Sequence, residues 1–119
     1  MTREEKSLLL QDLCARLPYG VCVHIRYKTG EPCYEKLTAR DIQWFIDSKI
    51  EDIKPYLRPM SSMTEEEKVE LWELLKNLGM TSDVKRLYWL LAHHFDIRNL
   101  IEKGLAIEAP EGMYNLKDK

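Results

Sequence analysis

Several features that would fix a function class are missing from this chain. Its three cysteines, Cys14, Cys22 and Cys33, are odd in number and lack a CxxC spacing, which fits reduced thiols inside a cell and no disulfide framework. With 18 basic against 20 acidic side chains and a net charge of −2, no global field draws the chain to nucleic acid or to an anionic membrane. No run approaches the roughly 18 to 20 apolar residues that cross a bilayer. The start Met1-Thr2-Arg3-Glu4-Glu5-Lys6 leads into an amphipathic pattern without a secretory cleavage region, so the chain reads as cytoplasmic. A glycine-rich nucleophile turn, an oxyanion-hole motif and a phosphate loop are absent too, as are internal repeats and low-complexity tracts.

What is present suits a small globular domain: 119 residues, of which 45% are hydrophobic, predict one α+β domain over 1–119. Leu9, Leu13 and Leu17 recur every fourth position and predict a helix over residues 3–17 that stops at Pro18. Val21, Val23, Ile25 and Tyr27 alternate as one face of a strand, and Lys28-Thr29-Gly30-Glu31 is a turn signal from which Cys33–Thr38 returns antiparallel. Residues 39–50 are ambiguous. Ile42, Trp44 and Ile46 alternate as in a third strand, the favoured reading, whereas Ile42, Phe45, Ile46, Ile50 and Ile53 also fit helix spacing with Thr38 and Asp41 as caps. Pro55 and Pro59 predict an extended connector. Residues 1–60 thus read as a helix plus a small antiparallel β meander.

Residues 61–119 read as a helical hairpin with a terminal β-ribbon. Thr64 and Glu67 form a capping box ahead of a stripe of Leu71, Trp72, Leu75 and Leu78, ended by Gly79. A second helix, from Thr81 or Ser82, carries Val84, Leu87, Tyr88, Leu91 and Phe95 as its buried face. Asp96 is placed to cap a short helix over Ile97–Lys103, which Gly104 ends. A turn at Glu111-Gly112 then sets Ile107 against Leu116 and Ala109 against Tyr114.

The phrase IEDIKPYLRPMSSMTEEE, residues 50–67, together with HHFDIRNLIEKGLAIEAPEGMY, residues 93–114, resembles a family of short uncharacterised proteins from gut bacteria and their phages. The likeness covers the C-terminal two-thirds well and the N-terminal part more loosely. It implies an α+β domain of unknown activity in a cytoplasmic or phage setting, with no catalytic residues to carry over.

The candidate sites are few. His93 and His94 are adjacent on a helix and diverge by about 100°, so they do not converge on one ion; helix-end histidines are the plainer reading. Cys22, His24 and Cys33 offer metal ligands or a Cys-His nucleophile on one sheet face, but Cys22 and Cys33 would stand roughly 13 Å apart at strand rise. The expectation is therefore no catalytic residue, no metal and no cofactor.

A winged-helix-like nucleic-acid reading uses Arg98, Asn99 and Lys103 as groove-facing side chains, with Glu102, Glu108 and Glu111 opposing phosphate. Trp89 lies about 140° from its helix's buried stripe, next to His93 at i+4. Either a second layer, the sheet, covers Trp89, the favoured outcome, or Trp89 sits in a partner-binding patch; His93 is expected to face solvent. What remains is a non-catalytic protein-interaction module, or the phage accessory module that the resemblance implies, binding a protein partner or a second copy. A nucleic-acid-binding domain is the alternative, and a small Cys/His enzyme is the second.

Overall fold

The structure is a computed structural model that describes residues 2–28, 31–76 and 82–114. The fold is α+β. α1 (Arg3–Arg16) starts at Thr2, whose hydroxyl accepts from Glu5 N while the Glu5 carboxylate accepts from Thr2 N, a reciprocal cap of two helix-end donors. It runs into a single 3-10 turn, Leu17–Tyr19, and Gly20 leaves that turn at φ +72°, a conformation glycine adopts without Cβ strain. β1 (Cys22–Tyr27) and β2 (Cys33–Lys36) pair antiparallel with His24 opposite Tyr34 and Ile25 opposite Cys33. As expected, Val21, Val23 and Ile25 point into the core and are fully buried. The turn expected between these strands lies partly outside the described residues.

The third strand is not where the alternation put it. Residues 41–46 belong to α2 (Ala39–Ile46), because Thr38 and Asp41 cap each other reciprocally and lock the first turn. The strand is instead β3 (Ile50–Leu57), which contains Pro55, taken from sequence as part of a connector. β3 pairs antiparallel with β1, so the order is β2-β1-β3-β4 and α2 carries the chain from one side of β1 to the other. The ladder to β1 reaches its last pair at Val23 and Pro55. At the next rung the Tyr114 hydroxyl bridges, accepting from Cys22 N at 2.9 Å and donating to Tyr56 O at 2.7 Å. A proline is tolerated where regular pairing ends.

α3 (Glu65–Leu75) and α4 (Ser82–Ala92) are the two helices expected here and pack on each other, with the Thr64–Glu67 box at the start of the first; Leu78, Gly79 and Thr81, expected to end one helix and begin the next, lie outside the described residues. The short helix expected over 97–103 is a run of turns, although Asp96 does cap it, accepting from Leu100 N at 2.9 Å and Ile101 N at 3.1 Å. The terminal ribbon is also different. β4 (Ile107–Glu108) lies parallel to β3, with Ile107 opposite Tyr56, and does not fold back on Tyr114; Leu116 lies outside the described residues.

Two apolar clusters result. The larger joins Leu9 and Leu13 of α1, Val21, Val23 and Ile25, Ile42 and Phe45 of α2, Ile53 and Leu57 of β3, and Leu100 and Leu105. The smaller is Trp89, Leu90 and Phe95 with Met63, Leu71, Leu74 and Ile97. The principal extents are 49 × 30 × 24 Å; the part that holds the first cluster is called the body here, and α3 with α4, which contribute to the second, the arm. No helix among the described residues is long and apolar enough to cross a membrane.

Candidate functional site

The segment His93-His94-Phe95-Asp96 is the joint between arm and body. α4 ends at Ala92, and His94 takes φ +66°, turning the chain from the helix to lie beside the end of β3. There Arg58 N donates to His94 O at 2.8 Å and Asp96 N to Arg58 O at 2.8 Å, a two-bond parallel bridge across Phe95. Arg16, fully buried on α1, donates from Nη2 to Phe95 O at 2.7 Å and from Nε to Asp12 at 2.6 Å. Arg98 approaches the other Asp12 oxygen at 3.4 Å. Phe95 is thus held by α1 and β3 together and is completely buried.

On the arm side, Arg58 stacks over the Phe95 ring, 4.2 Å from its centroid, and grips Glu67 with both terminal nitrogens at 2.8 and 2.6 Å. A planar guanidinium matches a carboxylate in this two-pronged way, and a charge so deeply buried needs such a partner. Burial alone would raise the Glu67 carboxyl, but the Arg58 bonds and the Thr64 backbone N–H outweigh it and hold it at about 2. His93 stacks on Trp89 with centroids 4.0 Å apart, its Nδ1 3.4 Å from Glu67 and its Nε2 3.9 Å from Glu70. Trp89 Nε1 donates to Glu70 at 3.2 Å. His94 lies flat against Tyr114 at 3.8 Å, and burial pushes the Tyr114 hydroxyl well above the usual phenol range.

A cavity of about 420 Å³ opens beside this cluster, lined by Arg58, Ser62, Thr64, Glu108, Glu111 and Tyr114 among others. Three of these lining residues already serve the fold: Arg58 and Thr64 bond Glu67, and the Ser62 hydroxyl donates to Pro59 O at 2.7 Å. The arrangement is a buried electrostatic hinge between arm and body, in which Arg58 bonds Glu67 and the His93 carbonyl.

The sequence candidates are scattered. Trp89 is 8% exposed, covered by α3, His93 and Phe95 instead of the sheet. His93 is not solvent-facing; its side chain is 13% exposed, because the helix ends one residue before it and the helical angle no longer applies. Arg98 is spent on Asp12, while Asn99 and Lys103 sit exposed in turns, so the winged-helix alternative lacks its reading helix. Cys33 stands opposite Ile25, so it shares the core face and is separated from Cys22 and His24 by the sheet. Its sulfur lies 3.9 Å from the Tyr27 hydroxyl and 3.7 Å from Glu35. Among the described residues no three His, Cys, Asp or Glu side chains are gathered as a metal site.

What the sequence hid is the arm's outer surface. Trp72 is 65% exposed, Val69 59%, Val84 52%, Tyr88 49% and Leu87 40%. Val84, Leu87, Tyr88 and Trp72 had all been expected inside, and only Leu91 and Phe95 of the α4 line are buried. Residues 83–88 are exposed throughout, whereas Trp89, Leu90 and Leu91 are buried. No family model, curated protein or solved structure matches the chain.

Proposed function

We propose that this chain is a non-catalytic protein-interaction module whose docking element is the α3–α4 arm, an accessory in the bacterial or phage setting that the resemblance implies. One observation carries the reading: five large apolar side chains sit 40–65% exposed on two adjacent helices, at helical spacings that elsewhere in the chain mark buried faces. Grouped exposure of this kind marks association surfaces, whereas scattered apolar residues do not. Tryptophan, with a large apolar body and one polar N–H, is enriched in such contacts. The body anchors the arm through the Arg58–Glu67 grip and the Phe95 joint.

The test is photo-crosslinking in cells, with a photoreactive amino acid replacing Leu87 or Trp72 and a control at the exposed Lys36. Discrete adducts from both arm positions and none from Lys36 are expected. Absence of adducts at the arm, or the same adducts from Lys36, would discard the docking role.

A further inference from the structure

The imidazole of His93 has a carboxylate at each of its nitrogens. Nδ1 lies 3.4 Å from Glu67 Oε2, and Nε2 lies 3.9 Å from Glu70 Oε1, the oxygen that also accepts from Trp89 Nε1 at 3.2 Å. Glu67 and Glu70 stand three apart on α3 and so share one side of that helix. The ring that follows α4 spans both. Its face rests on the Trp89 indole, with centroids 4.0 Å apart and planes 26° from parallel. A neutral imidazole has one N–H and one lone pair, so it donates to one of two carboxylates and aims a lone pair at the other. Only the protonated ring carries an N–H at both nitrogens, and the face of an indole attracts a cation.

Two effects oppose that charge. The His93 side chain is 13% exposed, and burial disfavours the cation. Arg58 donates to His93 O at 3.3 Å, but both its terminal nitrogens are matched to Glu67, at 2.8 and 2.6 Å. Glu70, 61% exposed, has no ion pair among the described residues except the one with His93. The other charged and titratable groups nearby are turned away. Asp96 accepts from Leu100 N and Ile101 N, His94 lies against Tyr114, and Arg86 is seven residues back along α4, about 10 Å.

We propose that His93 is a proton-operated clasp between α3 and the end of α4. The imidazolium ties Glu67 and Glu70 to the Trp89 end of α4, and loss of its proton as pH rises loosens that contact. The clasp goes beyond the docking role and does not depend on it. A histidine that gains carboxylate partners on folding keeps its proton to higher pH in the folded chain than in the unfolded one. The stabilisation is therefore complete below about 6.5, the ordinary histidine value, and is lost as pH rises through the folded value.

Proton NMR titration of the full chain from pH 5 to pH 9, with the histidine ring signals assigned through the backbone, tests this. The His93 midpoint is expected near 7.5, about 1 above the ordinary value. Glu70→Gln removes the outer carboxylate and keeps an oxygen for Trp89 Nε1; it should lower the midpoint by about 0.5 or more. In parallel urea melts the midpoint of the unmodified chain should fall between pH 6.5 and pH 8.5 by more than that of His93→Gln, a difference in which His24 and His94 cancel. If His93→Gln loses its native circular dichroism, Glu70→Gln takes its place in the melts and should show the shallower slope. A His93 midpoint at or below 6.5 overturns the proposal, as does a midpoint that Glu70→Gln leaves unchanged. Equal slopes in the variant and the unmodified chain overturn it too.

Discussion

The body and the arm use the same helical grammar with opposite results. In α1, Leu9 and Leu13 repeat at four and are fully buried; in α4, Val84, Leu87 and Tyr88 repeat at three and four and are 40–52% exposed. α1 lies against the sheet and α2, so its apolar line meets side chains on every turn. Among the described residues of α4, 83–88 are exposed and Trp89, Leu90 and Leu91 are buried, Trp89 and Leu90 in the cluster that holds Leu71 and Leu74 of α3. Periodicity therefore reports that a face seeks cover, while what covers it is a matter of tertiary reach. A face left open by the fold is available to a partner.

Substitutions at the joint should separate the two regions most strongly. Phe95→Ala empties a fully buried aromatic site gripped by Arg16 and Arg58. It should cost about 3 to 5 kcal/mol in urea unfolding. Arg58→Ala strands the Glu67 carboxylate and is expected to fall in the same range, about 3 to 5 kcal/mol, the usual loss on breaking a buried pair from one side.

The same pair gives the fold an acid limit. The folded Glu67 carboxyl sits at about 2 against an ordinary 4.5, so below 4.5 the unfolded chain takes up the proton more readily. Its stabilisation, on the order of 3 kcal/mol, is complete above pH 4.5 and is lost as pH falls through about 2. Urea midpoints followed from pH 6 to pH 2 should decline over that window, and Glu67→Gln should flatten the decline. An equal slope in the variant would assign the acid sensitivity elsewhere.

Smaller effects follow inside the body and at the hinge. Tyr114→Phe leaves Cys22 N and Tyr56 O without the bridging hydroxyl, a loss of about 1 to 3 kcal/mol by chemical denaturation. His93→Ala removes a ring stacked on Trp89 and should cost about 0.5 to 1.5 kcal/mol. A change near zero would place the imidazole in solvent and separate it from the Arg58 cluster.

Much of the body was legible. The Leu9–Leu13–Leu17 spacing and the Val21–Tyr27 alternation placed α1 and β1 because both elements are bounded by clear sequence breaks, Pro18 and Gly20 on one side and the turn signal Lys28-Thr29-Gly30-Glu31 on the other. Residues 39–50 misled because Ile42, Trp44 and Ile46 satisfy two periods at once; the Thr38–Asp41 box was the deciding local signal. β3 was hidden by Pro55, since a proline ordinarily argues against a paired strand, and only the distant Tyr114 shows how the next rung is satisfied.

The hinge left traces that were readable in part. Asp12 and Arg16 stand four apart on the Leu9–Leu13 face of α1, a charge pair where apolar residues belong. Arg58 and Glu67 come from separate elements, and nothing in their spacing joins them. The exposure of the arm was not readable, because sequence carries the stripe and not the neighbour that fails to cover it.

One matched substitution in each region tests the contrast most directly. Leu13→Ala in α1 and Leu87→Ala in α4 remove the same atoms, one side chain fully buried and the other 40% exposed. In parallel urea melts at submicromolar protein, Leu13→Ala should cost about 2 to 5 kcal/mol. Leu87→Ala should cost about 0.5 kcal/mol or less. A Leu87→Ala loss equal to that of Leu13→Ala would mean that the α4 ridge is covered within the single chain, and the docking surface would not exist.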